Sequence, residues 1–290
     1  MNKLNGFLYG LLSSASFGLI PLFAIPVMQQ GMDFWSVLCY RFIFAALALG
    51  GIVLLNRNSF SVRRKEWLPL TGLAFLYVGS AVFLLWGYQY MSSGVATTLH
   101  FMYPVMTTLI MMLFFGERKS PWRILAIVLA TGGVFLLSQG EGGTSGESAG
   151  ALAIFIVLVS ALCYALYLVT VSQLKSIEMK GLKMTFFVFL LGSIILCTGV
   201  SLTGGIAPIA NSMQLGNLVM LALVPTVVSN LALVRAIKYI GSTLTSVLGA
   251  MEPVTAVGVG ILIFGEPFTG SIALGIGLII SAVTVIILKR

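Results

Sequence analysis

Apolar runs of about 20 residues, each long enough to cross a bilayer as a helix, recur from one end of this 290-residue chain to the other. Ten are read, at roughly 6–27, 34–55, 68–90, 94–115, 121–139, 150–172, 182–202, 216–238, 242–264 and 268–288. Only 8% of the residues are charged and 59% are hydrophobic, too little polarity to coat a soluble core of this size. Hydrocarbon offers no water to unpaired backbone groups, so a spanning segment is either a helix or a strand of a closed barrel. Barrel strands are short and alternate in polarity, whereas these runs are continuous. The expected fold class is therefore an all-α integral membrane protein of ten transmembrane helices, with connections too short to hold a soluble domain.

A net charge of +8 invites a nucleic-acid reading, but the placement of the charges argues against one. With the N-terminus in the cytoplasm, 15 of the 16 Lys and Arg residues fall on cytoplasmic segments, among them Arg57, Arg63, Arg64 and Lys65, then Arg118, Lys119 and Arg123, then Lys175, Lys180 and Lys183. The external loops carry no cation, and their acids are Asp33, Glu141, Glu147 and Glu266. This is the distribution that orients membrane proteins. It predicts a multi-pass protein of the bacterial cytoplasmic (inner) membrane with both termini cytoplasmic and no nucleic-acid partner. Cys39, Cys163 and Cys197 all lie within apolar runs, at spacings that suit neither zinc nor a disulfide framework. They read as small buried hydrophobes.

The chain also says nearly the same thing twice. Tyr90, Ser93, Pro104, Gly116 and Glu117 return as Tyr239, Ser242, Pro253, Gly265 and Glu266, each 149 positions later and without a gap. Ser14-Ala15 and Ser160-Ala161 match at a slightly different offset of 146. Residues 140–149, rich in Gly and Ser, form the one clear linker, and five spans lie on either side of it. An odd number of spans per half inverts the second half relative to the first. The expected organisation is a first five-helix repeat over 1–139, an external linker over 140–149 and a second repeat over 150–290. Inverted repeats of this kind place a solute site near the bilayer midplane, between the halves.

Ser93-Gly94-Val95-Ala96 running into His100-Phe101-Met102-Tyr103-Pro104 and Gly116-Glu117-Arg118, with Ser242 running into Met251-Glu252-Pro253 and Gly265-Glu266-Pro267, resembles the ten-span EamA-type branch of the drug/metabolite transporter superfamily. The resemblance covers the whole chain. It implies export of amino acids, other metabolites or drugs, and a central cavity lined by spans 1, 3, 4, 6, 8 and 9. The sequence departs from the family in one place: Tyr103 stands where the family often has a second glutamate to match Glu252.

Ionisable groups inside a membrane are expensive and mark candidate sites. Away from the ends there are three, Arg41, His100 and Glu252. Arg41 either grips a substrate carboxylate bidentately or makes a structural pair with Glu252 or with backbone carbonyls. His100, the only histidine, shares a helical face with Thr97 and Pro104, and Pro104 is expected to kink the span and free the carbonyl of residue 100. Its imidazole suits proton sensing or carriage. Glu252 precedes the second kink candidate, Pro253, and suits a substrate ammonium or a proton. Ser16, Tyr77, Ser80, Tyr164 and Asn230 complete the expected substrate-binding set, with Ser13, Phe17, Tyr167 and Ser229 nearby in the same spans. Trp86 and Tyr88 fit either a site or an interfacial anchor. Gly116-Glu117 and Gly265-Glu266 read as structural, the glutamates placed at the start of the next helix, where its dipole favours an anion.

There is no Walker motif, no His-Glu-x-x-His and no metal-spaced cysteine pair. The chain is therefore expected to be no enzyme and to use no cofactor and no metal. Its expected partners are a small-molecule substrate, the lipid bilayer and protons as a coupling ion, in a monomer or weak homodimer. The rival readings are an uncoupled uniporter or exchanger of another metabolite or drug, and a lipid-handling membrane protein.

Overall fold

In a computed structural model the chain is described over residues 2–57, 59–115, 121–140, 147–173, 181–249 and 251–288, and these residues are helical with no strand among them. The Gly116-Glu117 pair, Arg118, most of the 140–149 linker, and Lys175 and Lys180 lie outside the described residues. In chain order the α-helices are α1 (Asn2–Phe17), α2 (Ile20–Gln29), α3 (Phe34–Leu55), α4 (Arg64–Gly87), α5 (Ser93–His100), α6 (Tyr103–Phe114), α7 (Pro121–Gly140), α8 (Glu147–Gln173), α9 (Gly181–Thr203) and α10 (Ser212–Ala222). A π-helical turn, Leu223–Val228, joins α10 to α11 (Ser229–Leu248), followed by α12 (Met251–Phe264) and α13 (Gly270–Leu288). Among the described residues seven stretches are long and apolar enough to cross a membrane, and Met251–Phe264 and Gly270–Ala282 are shorter apolar helices.

The first and fourth apolar runs are each broken in two, which continuous hydropathy does not reveal. The first breaks at Gly18-Leu19, where Leu19 N–H bonds Ser16 O at 3.1 Å before Pro21 opens α2. Close packing also demands Gly18: a Cβ there would meet Glu252 O at 2.5 Å and Thr255 at 2.8 Å. The fourth breaks at Phe101-Met102. Pro104 was expected to kink a continuous span; instead it sits in the first turn of α6, and Pro253 likewise sits in the first turn of α12. A missing N–H costs nothing at a helix start, because that donor has no intrahelical partner anyway.

The expected connection near 239–241 is a finer matter. Ser13 meets Ser229, Gly6 abuts Tyr239 and Ile240, and then Gly10 abuts Leu248 and Gly18 abuts Glu252. These contacts hold α11 and the start of α12 against α1, and residues 239–241 belong to the helix α11. Helices pair as α3 with α9, α4 with α8, α5 with α12, and α7 with α13. In the last pair a Cβ at Gly133 would lie 2.8 Å from Gly275 O, so glycine lets these two helices approach closely. Cys39 is buried, Cys163 and Cys197 are half-buried, and all three are free thiols.

Candidate functional site

A small cavity lies where α1–α5 and α8 converge. Its walls are Phe17 from α1, Ile20 from α2, Arg41 from α3, Tyr77, Ser80, Ala81 and Leu84 from α4, His100 from α5, and Tyr164 from α8. Arg41, Tyr77, Ser80, His100 and Tyr164 thus come together as expected. Arg41 brings in the second span, which the expected lining left out, and among the described residues spans 8 and 9 contribute no wall.

Tyr164 is the hub of the aromatic side. Its ring centroid lies 4.7 Å from Tyr103, 5.5 Å from His100, 6.2 Å from Tyr77 and 6.4 Å from Phe17. Tyr167 stands one turn along α8 and meets Tyr77 edge-on at 5.3 Å. Such rings offer faces for a planar or apolar solute and rigidify each other.

His100 is held by a chain of hydrogen bonds. Ser160 Oγ donates to Ser80 O at 2.6 Å, and a carbonyl can only accept, so the hydroxyl's single proton is committed there. His100 Nδ1, 3.0 Å from the same oxygen, is therefore the donor of that second bond. The imidazole is pinned with its proton on Nδ1, and Phe17 stacks alongside at 6.4 Å. The carbonyl of residue 100, expected beside the ring as the freed group, does not fix it; Ser160 does.

Arg41 lies two turns into α3, whose start is set by Asp33: the carboxylate accepts from Ser36 N at 3.0 Å and from Ser36 Oγ at 2.6 Å. The side chain is 2% exposed, and its Nε donates to Thr226 Oγ1 at 2.9 Å. The expected structural pairing with Glu252 or with backbone carbonyls is not made among the described residues; the partner is a hydroxyl in the π-helical turn. Thr226 Oγ1 in turn donates to Leu221 O at 3.0 Å.

Glu252 is 4% exposed but does not line the cavity, and its Oε1 has no hydrogen-bond partner among the described residues. Asn230 also lies off the cavity wall, where Nδ2 donates to Thr226 O at 2.7 Å. Ser16 is buried without lining the cavity. Ser13 and Ser229 donate to each other's carbonyls, both at 2.9 Å, and so clasp α1 to α11. Tyr88 bonds Thr97 at 3.0 Å as part of the packing. Glu266 corrects the expectation that it serves the following helix. It reaches the other half of the chain and caps α5, with Oε1 accepting from Ser93 N at 2.7 Å and Ser93 Oγ at 2.6 Å, and Oε2 from Gly94 N at 3.2 Å. Two roles escaped the sequence reading: that of Ser160, noted only as the repeat match of Ser14, and that of Thr226, whose one signal is Pro225 inside an apolar run.

A helical bundle that closes an arginine, a histidine and a ring of tyrosines into its interior defines a polytopic membrane protein with an internal polar site. Residues 4–139 and 151–288 both match the EamA-like transporter family, and the chain belongs to that family. It is 25% identical over 257 residues to an uncharacterized transporter of Archaeoglobus fulgidus, covering 88% of this chain and 89% of that one. A solved crystal structure shares the fold with a TM-score of 0.71 at 15% identity, covering 99% of this chain and 98% of that one.

Proposed function

We propose that this membrane transporter is a secondary carrier of small organic solutes, exporting amino acids or related metabolites across the bacterial cytoplasmic membrane. It has ten spans in two inverted five-helix halves, 1–139 and 150–290, joined by the external linker 140–149, with both termini cytoplasmic. The halves rock about the cavity, exposing it to one side at a time, and protons couple to the cycle through His100 and Glu252. The observation that carries the reading is the convergence of Arg41, His100 and the Tyr164 ring cluster from separate helices around one small cavity. Polar groups of this cost are kept inside a membrane where a solute path needs them. The 149-residue repeat and the family supply the carrier frame.

The test is counterflow in proteoliposomes loaded with pools of unlabelled amino acids, following uptake of each labelled member with and without an imposed pH gradient. Counterflow of one pool that is lost in His100→Ala supports a carrier with its site at this cavity. Absence of counterflow across amino acids, nucleosides and organic acids, with folded protein in the vesicles, overturns the carrier reading.

A further inference from the structure

We infer that Thr226 is a positioning residue that fixes Arg41 as an end-on receptor for one carboxylate, and that the cavity selects its solute by that carboxylate rather than by an ammonium group. The inference rests on the carrier reading and narrows its substrate class.

A guanidinium presents two bidentate edges, one made by Nε with a terminal nitrogen and one made by the two Nη groups. In this protein the first edge is taken. Nε donates to Thr226 Oγ1 at 2.9 Å, and that hydroxyl cannot turn away, because its own proton is held by Leu221 O at 3.0 Å. Thr226 is 0% exposed and sits in the π-helical turn Leu223–Val228, so its oxygen is fixed by backbone on both sides. Isolated π turns inside α-helices recur at functional sites. The Nη edge remains. Among the described residues it makes no hydrogen bond or ion pair, and Arg41 forms part of the cavity wall. A buried cation without a countercharge is costly, and a carboxylate arriving on its free edge removes the cost. Among the described residues the same wall contains no acidic side chain, since Glu252 stands outside it, so no carboxylate there pairs with an ammonium group.

Four probes that share an isobutyl side chain test this: leucine, 4-methylpentanoate, leucinamide and 3-methylbutylamine. Each is titrated against purified wild type, Thr226→Val, Thr226→Ser and Arg41→Lys by ligand-induced shift of the melting curve, and then as a competitor of counterflow. The two carboxylates bind the wild type, and the amide and amine bind at least tenfold more weakly. Thr226→Val, which keeps the shape and removes the acceptor, lowers carboxylate affinity roughly tenfold or more. Thr226→Ser restores it, and Arg41→Lys, lacking the fork, does not. A merely structural role of Thr226 would weaken all four probes alike, so the carboxylate-to-amine ratio is the deciding readout. An unchanged ratio in Thr226→Val overturns the assignment. So does leucinamide or the amine binding as well as leucine, or a folded wild type that binds neither carboxylate. Counterflow that keeps its carboxylate preference in Thr226→Val sinks this inference and leaves the carrier standing. Carboxylate binding without counterflow of any solute does the reverse.

Discussion

The helix breaks at Phe101-Met102 and at Gly249 use the same device for different chemistry. In each, a helix ends and a new helix begins three residues later with proline in its first turn. The helices concerned, α5 and α12, pack on one another, with Gly94 close against Val257. The polar groups at the two breaks are treated in opposite ways. At the first, His100 is tied to Ser160 and Ser80 and ringed by Phe17, Tyr103 and Tyr164, leaving no ambiguity in its position. At the second, Glu252 is as deeply buried yet keeps an oxygen without a partner among the described residues. Tyr103 and Glu252 are the matched positions, 149 residues apart. A duplicated backbone therefore does not carry duplicated chemistry: one break is a satisfied joint, and the other holds an unused acceptor.

The most damaging way to break the comparison is to make the two sites alike. Tyr103→Glu puts a second buried carboxylate into the ring cluster and removes the 4.7 Å contact with Tyr164. A loss of ~3–5 kcal/mol is expected from an uncompensated buried charge, read as a collapse of the melting transition in detergent and loss of monodisperse protein. Tyr103→Phe keeps the ring and serves as the control, with at most a small change. Wild-type stability in Tyr103→Glu would mean that the first break tolerates charge and that its closed hydrogen-bond chain is not what settles it.

Glu252→Gln comes next and sharpens the contrast from the other side. The substitution keeps the shape and removes a charge that the bilayer interior disfavours. The expected outcome is a fold more stable by ~1–3 kcal/mol together with at least a tenfold fall in counterflow, the trade expected of a group retained for function. Increased stability with full counterflow would make Glu252 a passenger.

Much of this arrangement was legible in the chain, for physical reasons that also mark where legibility stops. Spans are written in composition because hydrocarbon permits only apolar helices, and Arg41 and His100 stand out because charge there is costly. Asp33 could be read as an external acid, but its cap on α3 depends on the hydroxyl of Ser36 three residues on. The breaks at Gly18-Leu19 and Phe101-Met102 were hidden because hydropathy averages over a span, while a break occupies two residues. The role of Thr226 was hidden more deeply: its hydroxyl matters only because α3 carries Arg41 up to a π turn 185 residues away. Glu266 is read from the sequence as a structural acid at the start of the next helix, since the chain alone does not say that its carboxylate reaches Ser93 and Gly94 of α5.

Ser160→Ala opens the first break without adding charge. It orphans the buried Nδ1–H of His100 and removes the bridge to Ser80 O. Losing one partner of a buried hydrogen bond costs ~1–3 kcal/mol, so a modest fall in melting temperature is expected, with nuclear magnetic resonance of labelled histidine reporting a mixture of ring tautomers in place of one. Ser160→Thr retains the hydroxyl and should retain the single tautomer. A single unchanged tautomer in Ser160→Ala would show that the aromatic ring cluster, and not Ser160, fixes the imidazole.

The smallest effect is expected farthest from the break, at the other end of α5. Glu266 offers both carboxylate oxygens to the free backbone donors of that helix, and α5 is only eight residues long. A short helix draws little stability from its own hydrogen bonds, so its cap matters more than it would on a long one. Glu266→Gln retains one acceptor and loses the charge that favours a helix start, for an expected cost of ~0.5–1 kcal/mol; Glu266→Ala approaches ~1–2 kcal/mol. Hydrogen exchange resolves the change from global destabilisation: amides of Ser93 to Thr97 should exchange faster, while those of α12, on the far side of the α5–α12 contact, keep their protection. Equal loosening of α5 and α12 would mean that Glu266 acts by holding the two helices together, and the two breaks would then have to be treated as one mechanical unit instead of two separate joints.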